Sequence, residues 1–284
     1  MRARLAAGML AIAAVIGLLA LALRAPAGRR AAVSNQTPGK VGAAHPTATA
    51  TASPGAGHLA FNAWFRGTSL DRAVWSTCYP WATAPSGCTN FGNREYQWYT
   101  PGQVRVSGGA LRLTASPIAT TGTDHAGTPH VYACRSGMVT SYPGYRFEYG
   151  YVKIVAHIPA GYGLWPALWL AAANLRWPPE VDMLEHWGGP QGTTGLYLHP
   201  VGATQDRQHV RVPGLTVGWH TFALSWTPSR LTWYIDGQRE FTVTSHVPHQ
   251  PMYLIANVAE YRTVGPSGGC NGTMLIRSVQ VWQR

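Results

Sequence analysis

From about Leu59 to Arg284 the apolar residues come in short runs broken by Gly, Pro, Ser and Asn, and no 3.6-residue repeat lasts long enough for a major helix. Such a chain has to bury its apolar side chains from strands. Strands are predicted at Gln103–Val106, Ala110–Ala115, Tyr145–His157, Leu164–Ala172, Val181–His186, Thr194–His199, His220–Thr227, Leu231–Ile235, Glu240–Val243, Met252–Val258 and Met274–Trp282. Asp236-Gly237 between two of these runs is a strong hairpin signal, because a two-residue turn of the favoured type needs positive φ at both positions. About a dozen strands of this kind predict an all-β, two-sheet antiparallel sandwich. With 46% hydrophobic residues among 284, one large domain has enough apolar material for its core.

Only 12% of the residues are charged, yet Glu180, Asp182 and Glu185 place three of the eleven acids within six positions. The double proline Pro178-Pro179 just before is a poor lead-in to a helix, and helical spacing would fan these acids around the cylinder. On a strand Glu180 and Asp182 share a face, whereas Glu185 points to the opposite one unless a residue is inserted. A β-bulge at Met183-Leu184 would bring all three carboxyls to one face. Two long carboxylates with a shorter one between them suit cleavage of a glycosidic bond. The competing reading is a solvated acidic edge. Val181, Met183 and Leu184 interleave the acids and Trp177 and Trp187 bracket them, so the strand is expected to be buried on one side and rimmed by aromatics on the other.

The chain holds 12 Trp and 13 Tyr. Sugar rings lay their apolar faces on aromatic ones, so an aromatic cleft is expected, with Trp165 and Trp169 sharing one strand face. His199 follows the acidic strand closely enough for a neighbouring antiparallel strand to bring it to the carboxylates.

Residues 1–27 read as an export signal: Arg2 and Arg4, an apolar run from Leu5 to Leu23, then Ala25-Pro26-Ala27 as a small-x-small cleavage site. The run also reaches the length of a bilayer span, so a retained membrane anchor is the alternative. Arginines on both sides leave the choice open. Residues 28–57, rich in Ala, Thr and Pro, read as a flexible linker, and residues 58–284 as the folded domain. Six of the 22 basic residues precede residue 58 and no acid does, so the rest of the chain carries 16 against 11. That modest excess, with no basic helix or Lys/Arg cluster, argues against a nucleic-acid partner. The protein is expected outside the cytoplasm, as a monomer.

Four cysteines, Cys78, Cys88, Cys134 and Cys270, lie in the exported part, where two disulfides are the default. Of three connectivities, Cys78 with Cys88 closes a short loop and is favoured, which leaves Cys134 with Cys270. Without a Cys-x-x-Cys pair, metal binding is the weaker alternative.

Taken together, Asn93 to Pro101, Tyr149-Gly150-Tyr151-Val152, Gly163 to Trp169, Glu180 to Glu185, Trp219-His220-Thr221-Phe222 and Trp233 to Gly237 carry a resemblance. The chain resembles glycoside hydrolase family 16, the laminarinase-type β-glucanases with a β-jelly-roll fold and a concave substrate cleft. The resemblance implies Glu180 as nucleophile, Glu185 as general acid/base and Asp182 as the group that tunes their charge. It also implies substrate contacts by Glu95, Trp165, Trp169 and Asn257 beside the rim residue Trp187, and it places His199 near Glu185. No cofactor is expected.

Three departures from the family pattern stand out. Lys153 and Val155 occupy places where Glu and Arg are common, so polar contacts on that strand are expected to differ from the family pattern. Ala259-Glu260-Tyr261-Arg262 replaces a glycine-rich stretch at one end of the cleft. Arg277 stands where an aspartate often helps bind structural calcium, so no metal is expected there, a guanidinium being a poor neighbour for a hard cation. The bulged acidic motif resembles the β-1,3-glucanases and the galactan-cleaving members. The cleft residues that could be placed are mainly Trp, Glu, His and Asn rather than Arg or Lys, which tilts the expectation to internal cleavage of a β-1,3-glucan. A non-catalytic glucan-binding module on the same fold is the competing class, and a galactan hydrolase or a transglycosylase remains open within the enzyme reading.

Overall fold

The computed structural model describes residues 57–84, 87–93, 95–188, 192–261 and 269–284, all within one compact unit running from Pro46 to Arg284. The export signal and, apart from Gly57, the linker lie outside the described residues.

Two large antiparallel sheets carry the structure. One has eight strands: Gln238–Val243, Arg230–Ile235, Trp219–Thr227, Gly150–His157, Gly272–Gln283, Ala110–Ala115 and Val104–Ser107 in that spatial order, with His58–Trp64 also paired to Gly272–Gln283. The other has six, in the order Met138–Thr140, Met252–Glu260, Leu164–Ala172, Glu180–Glu185, Thr193–His199 and Asp206–Arg211. The main core cluster draws Leu168, Leu170, Val181 and Leu196 from the six-stranded sheet and Val152, Ile154, Phe222 and Leu224 from the eight-stranded one. Each such side chain taken out of water contributes about 1.5–3 kcal/mol, which pins the register, since a one-residue slip would turn a whole strand inside out.

The acidic strand shows how the sequence sets its own geometry. Val181, Met183 and Leu184 are all in the core, at 1%, 1% and 0% exposure. Two consecutive side chains of a regular strand cannot enter the same core cluster, and the pairing breaks accordingly: Trp169 pairs with Asp182 and Leu168 with Leu184, leaving Met183 without a partner. Towards the other neighbour the register shifts between Asp182 and Glu185. The bulge thus stands at Met183-Leu184, as the spacing of acids required. The Asp236-Gly237 turn likewise has φ of 51° and 82°, and Asp236 ties it to the adjacent strand by accepting from Thr221 N–H at 2.8 Å.

Other boundaries moved for identifiable reasons. The strand expected from Tyr145 starts at Gly150, because Tyr149 and Gly150 have φ of 57° and 142° and break the extended path. Asp206–Arg211 and His58–Trp64 were not expected as strands. Asp206–Arg211 is a sheet edge, where only Val210 has to be apolar and charge discourages further pairing. His58–Trp64 has a mixed pattern with an irregularity between Leu59 and Phe61.

Both disulfides pair as expected, Cys78 with Cys88 and Cys134 with Cys270. Lys153 lies on the eight-stranded sheet with Nζ 5.4 Å from the Trp282 ring centroid, so the departures at 153 and 155 are remote from the acids. Arg277 stacks its guanidinium 4.2 Å over Trp219.

Glu260 ends its strand in a buried position, where its N–H donates to Gln97 Oε1 at 2.6 Å. Burial raises its carboxyl pKa to about 7. A carboxyl raised in the folded state favours folding while it is protonated, so stability is lost as pH climbs from the ordinary Glu range through 7. Glu260→Gln should therefore raise stability at pH 8 by about 1–2 kcal/mol, screening allowed for, and change little at pH 4.5. Calorimetric melting at the two pH values checks this.

Candidate active site

The three acids are brought to one place by the bulge and fastened there from behind. Trp233, on the opposite sheet, donates its indole N–H to the Asp182 carbonyl at 2.8 Å. Thr194 Oγ1 donates to the Glu185 carbonyl at 3.0 Å. Both bonds hold the irregular backbone on either side of Met183-Leu184, where the ladder itself is interrupted.

Glu180, Asp182 and Glu185 line a cleft of about 750 Å³ on the outer face of the six-stranded sheet. Asp182 is 1% exposed and Glu185 9%, with Glu180 half-buried. Each Glu carboxylate meets one indole: Trp177 Nε1 donates to Glu180 Oε2 at 3.2 Å and Trp165 Nε1 to Glu185 Oε1 at 2.9 Å. Burial holds all three carboxyls above their usual range. For Glu180 the charges of Asp182 and Glu185 add to the effect and the Trp177 N–H opposes it. For Glu185 Asp182 adds and Trp165 opposes. Asp182 is pulled the other way by His199.

His199 stands elsewhere than expected. Strand register pairs it with Glu180, and its Nε2 lies 3.2 Å from Asp182 Oδ2 and 3.6 Å from Glu180 Oε1. It serves the Glu180 end of the strand, whereas Glu185 pairs with Gly195, four residues earlier on the same partner. The imidazole also meets Gln205 Nε2 at 3.0 Å and tilts against Trp177 at 5.8 Å.

On the other side of the acids, Trp165 and Trp169 share the cleft face of their strand. Trp165 stacks on Trp187 with centroids 4.0 Å apart, and Tyr261 meets Trp187 edge-on at 5.6 Å. Trp169 donates to Asn257 Oδ1 at 2.7 Å, and Asn257 Nδ2 donates to Tyr99 Oη at 2.9 Å. Glu95 is 8% exposed and accepts from Tyr79 Oη, Asn93 Nδ2, Gln97 Nε2 and the Asn90 N–H, at 2.9, 3.1, 2.6 and 3.4 Å. Burial raises its pKa and those donors pull it back. All nine residues expected at the site line this one cleft.

The cleft also holds residues that the sequence did not single out. Tyr197 sits two before His199, on the same strand face, and that parity could have found it. Trp81, stacked on Tyr79 at 4.8 Å, comes from a loop with no periodic signal. Arg176 and Arg207 line the cleft as well, adding two cations to a lining expected to be mainly Trp, Glu, His and Asn. Among the described residues two groups could offer three ligand atoms to a metal. Cys134, Glu260 and Cys270 lose both sulfurs to a disulfide, which leaves Glu180, Asp182 and His199.

The chain is similar to several known proteins. The matched part of the chain is 32% identical over 212 residues to an endo-1,3-1,4-beta-glycanase, EglC, of Rhizobium meliloti (strain 1021), covering 68% of this chain and 43% of that protein. It therefore spans less than half the length of that relative. A beta-glucanase of Rhodothermus marinus is 29% identical over 222 residues, 66% of this chain and 74% of its own. In fold, the chain is similar to the catalytic domain of an endo-1,3-beta-glucanase (laminarinase) from Thermotoga petrophila RKU-1. That similarity has a TM-score of 0.68 and 24% identity, over 80% of this chain and 98% of the other. Residues 92–269 match the family description Glycosyl hydrolases family 16, and the chain belongs to that family.

Proposed function

We propose that the chain is a retaining glycosidase that hydrolyses internal β-1,3-glucosidic bonds of a polysaccharide. The observation that carries this is the bulge, which sets Glu180, Asp182 and Glu185 side by side in an aromatic cleft. Glu180 is the nucleophile: its carboxylate attacks the anomeric carbon while Glu185, protonated, gives its proton to the departing glycosidic oxygen. Glu185, now ionised, takes a proton from water, which displaces Glu180 and regenerates both groups. Two carboxyls can divide these roles only if one ionises first. His199 Nε2, 3.2 Å from Asp182 Oδ2 and 3.6 Å from Glu180 Oε1, pulls the Asp182 carboxyl down and so favours charge there. The charge of Asp182 supports the proton held by Glu185, while the Trp177 N–H favours the ionised form of Glu180.

Trp165, Trp169 and Trp187 offer aromatic faces to sugar rings, with Asn257 and Glu95 held beside them as oriented polar groups. The β-1,3 preference rests on the bulged floor, and the names of the relatives support a β-glucan. Arg176 and Arg207 favour a second reading, an anionic galactan. Reducing-end release from laminarin, lichenan, agarose and carrageenan separates them: laminarin should be cleaved fastest, and activity confined to the galactans would overturn the choice of substrate.

We infer the domain plan from sequence: a leader or anchor over 1–27, a linker over 28–57 and the hydrolase domain over 58–284. Export follows from that leader, and two disulfides accord with an oxidising compartment.

A further inference from the structure

The acidic strand divides the cleft into two arms of different chemistry. Over Leu164–Ala172 and Met252–Glu260 lie Trp169, Tyr253 and Asn257, neutral and mostly aromatic. Over Thr193–His199 and the edge strand Asp206–Arg211 the character changes. Arg207, His209 and Arg211 stand opposite Tyr197, Gly195 and Thr193, so the two-residue period puts all three on the face that carries Tyr197, the cleft face. Val210 turns the other way into the core, and Asp206, opposite Leu198, shares that inward face. Arg207, His209 and Arg211 are exposed, and His209 Nε2 lies 3.0 Å from Tyr197 Oη, which joins the stripe to the cleft floor. Arg176 lines the same cleft.

Among the described residues no ion pair or side-chain hydrogen bond engages the guanidinium of Arg176, Arg207 or Arg211. The acids lining the cleft already have partners: Glu95 accepts from four donors, Glu180 and Glu185 each accept from an indole, and Asp182 Oδ2 lies 3.2 Å from His199. The arm thus carries cations from the cleft lining, at Arg176 and Arg207, out along the exposed edge to Arg211, with planar donor forks unspent. A guanidinium binds sulfate or carboxylate through paired hydrogen bonds, stronger than any it makes with a neutral hydroxyl.

We propose that this arm is an anion-binding subsite, which takes a sulfate or carboxylate group carried by the polysaccharide chain. The proposal rests on the β-glucanase reading above and narrows it to a glucan with anionic substituents. Charged residues on a sheet edge also discourage pairing with other sheets. That role would leave the enzyme indifferent to the charge of its substrate.

The test compares kcat/KM of the full chain on laminarin fragments of one length that are unmodified, lightly sulfated or lightly carboxymethylated. The wild type should prefer the anionic fragments, and raising salt from about 20 to about 300 mM should erase the preference. In the double variant R207Q/R211Q the anionic-to-neutral ratio should fall about tenfold. A wild type that prefers the neutral fragment, or a ratio that the double variant leaves alone, overturns the proposal. A response to only one of the two anions identifies the group recognised. Equilibrium binding of the same fragments to E180Q/E185Q, with and without R207Q/R211Q, reads the subsite without turnover. If no fragment is cleaved, the glucanase reading fails, and the binding ratio still decides whether the arm selects anions.

Discussion

Replacing Glu180 or Glu185 by Gln should lower kcat on laminarin on the order of 10³- to 10⁴-fold while leaving affinity for the uncleaved chain nearly intact. Gln keeps the shape of Glu, so the hydrogen bonds from Trp177 and Trp165 can persist at each position. What is lost is the ability to form a covalent bond to the sugar at 180 and to shuttle a proton at 185. The two variants should differ with the leaving group. Removing the acid matters less when the departing oxygen is already acidic, so Glu185→Gln should recover much of its rate on an aryl glycoside whereas Glu180→Gln should not. Binding that survives both changes, with no turnover by the wild type on any β-glucan or galactan, would instead mark a glucan-binding module.

The second large effect is on stability. The Cys134–Cys270 bridge spans 136 residues and Cys78–Cys88 spans 10. By chain entropy the first constrains the unfolded state by about 5 kcal/mol and the second by about 2.7 kcal/mol. Replacing Cys134 and Cys270 by Ser should lower the melting temperature by roughly 10–20 °C, and replacing Cys78 and Cys88 by about half as much. The short bridge should nevertheless show in activity, because it holds the loop whose Tyr79 donates to Glu95 and whose Trp81 lines the cleft. Equal melting shifts for the two double variants would contradict the entropy argument.

The sequence disclosed the fold wherever burial imposes a pattern. Leu164–Ala172, buried throughout, and Ala110–Ala115 were bounded correctly because their apolar runs end at turn residues. The bulge was legible for the same reason: Met183 and Leu184 must both reach the core if Glu185 is to join Glu180 and Asp182. Register was harder. His199 was recognisable as a neighbour of the acids, but which acid it meets depends on the pairing of Glu180 with His199, and no local signal encodes that. The edge strand escaped because an edge buries only Val210, so its cations read as loop. Glu95 could be recognised through family resemblance, but its hydrogen bond from Tyr79 is made across a disulfide-closed loop, whose path is set by tertiary contacts.

The central chemical claim is that Glu180 and Glu185 act in turn on a single anomeric carbon. Proton NMR of laminarin cleavage, followed from the first minutes before mutarotation, reads that claim directly. The first-formed reducing end should be the β anomer, giving way slowly to the equilibrium mixture. An α anomer appearing first would show direct attack by water and contradict a nucleophilic Glu180.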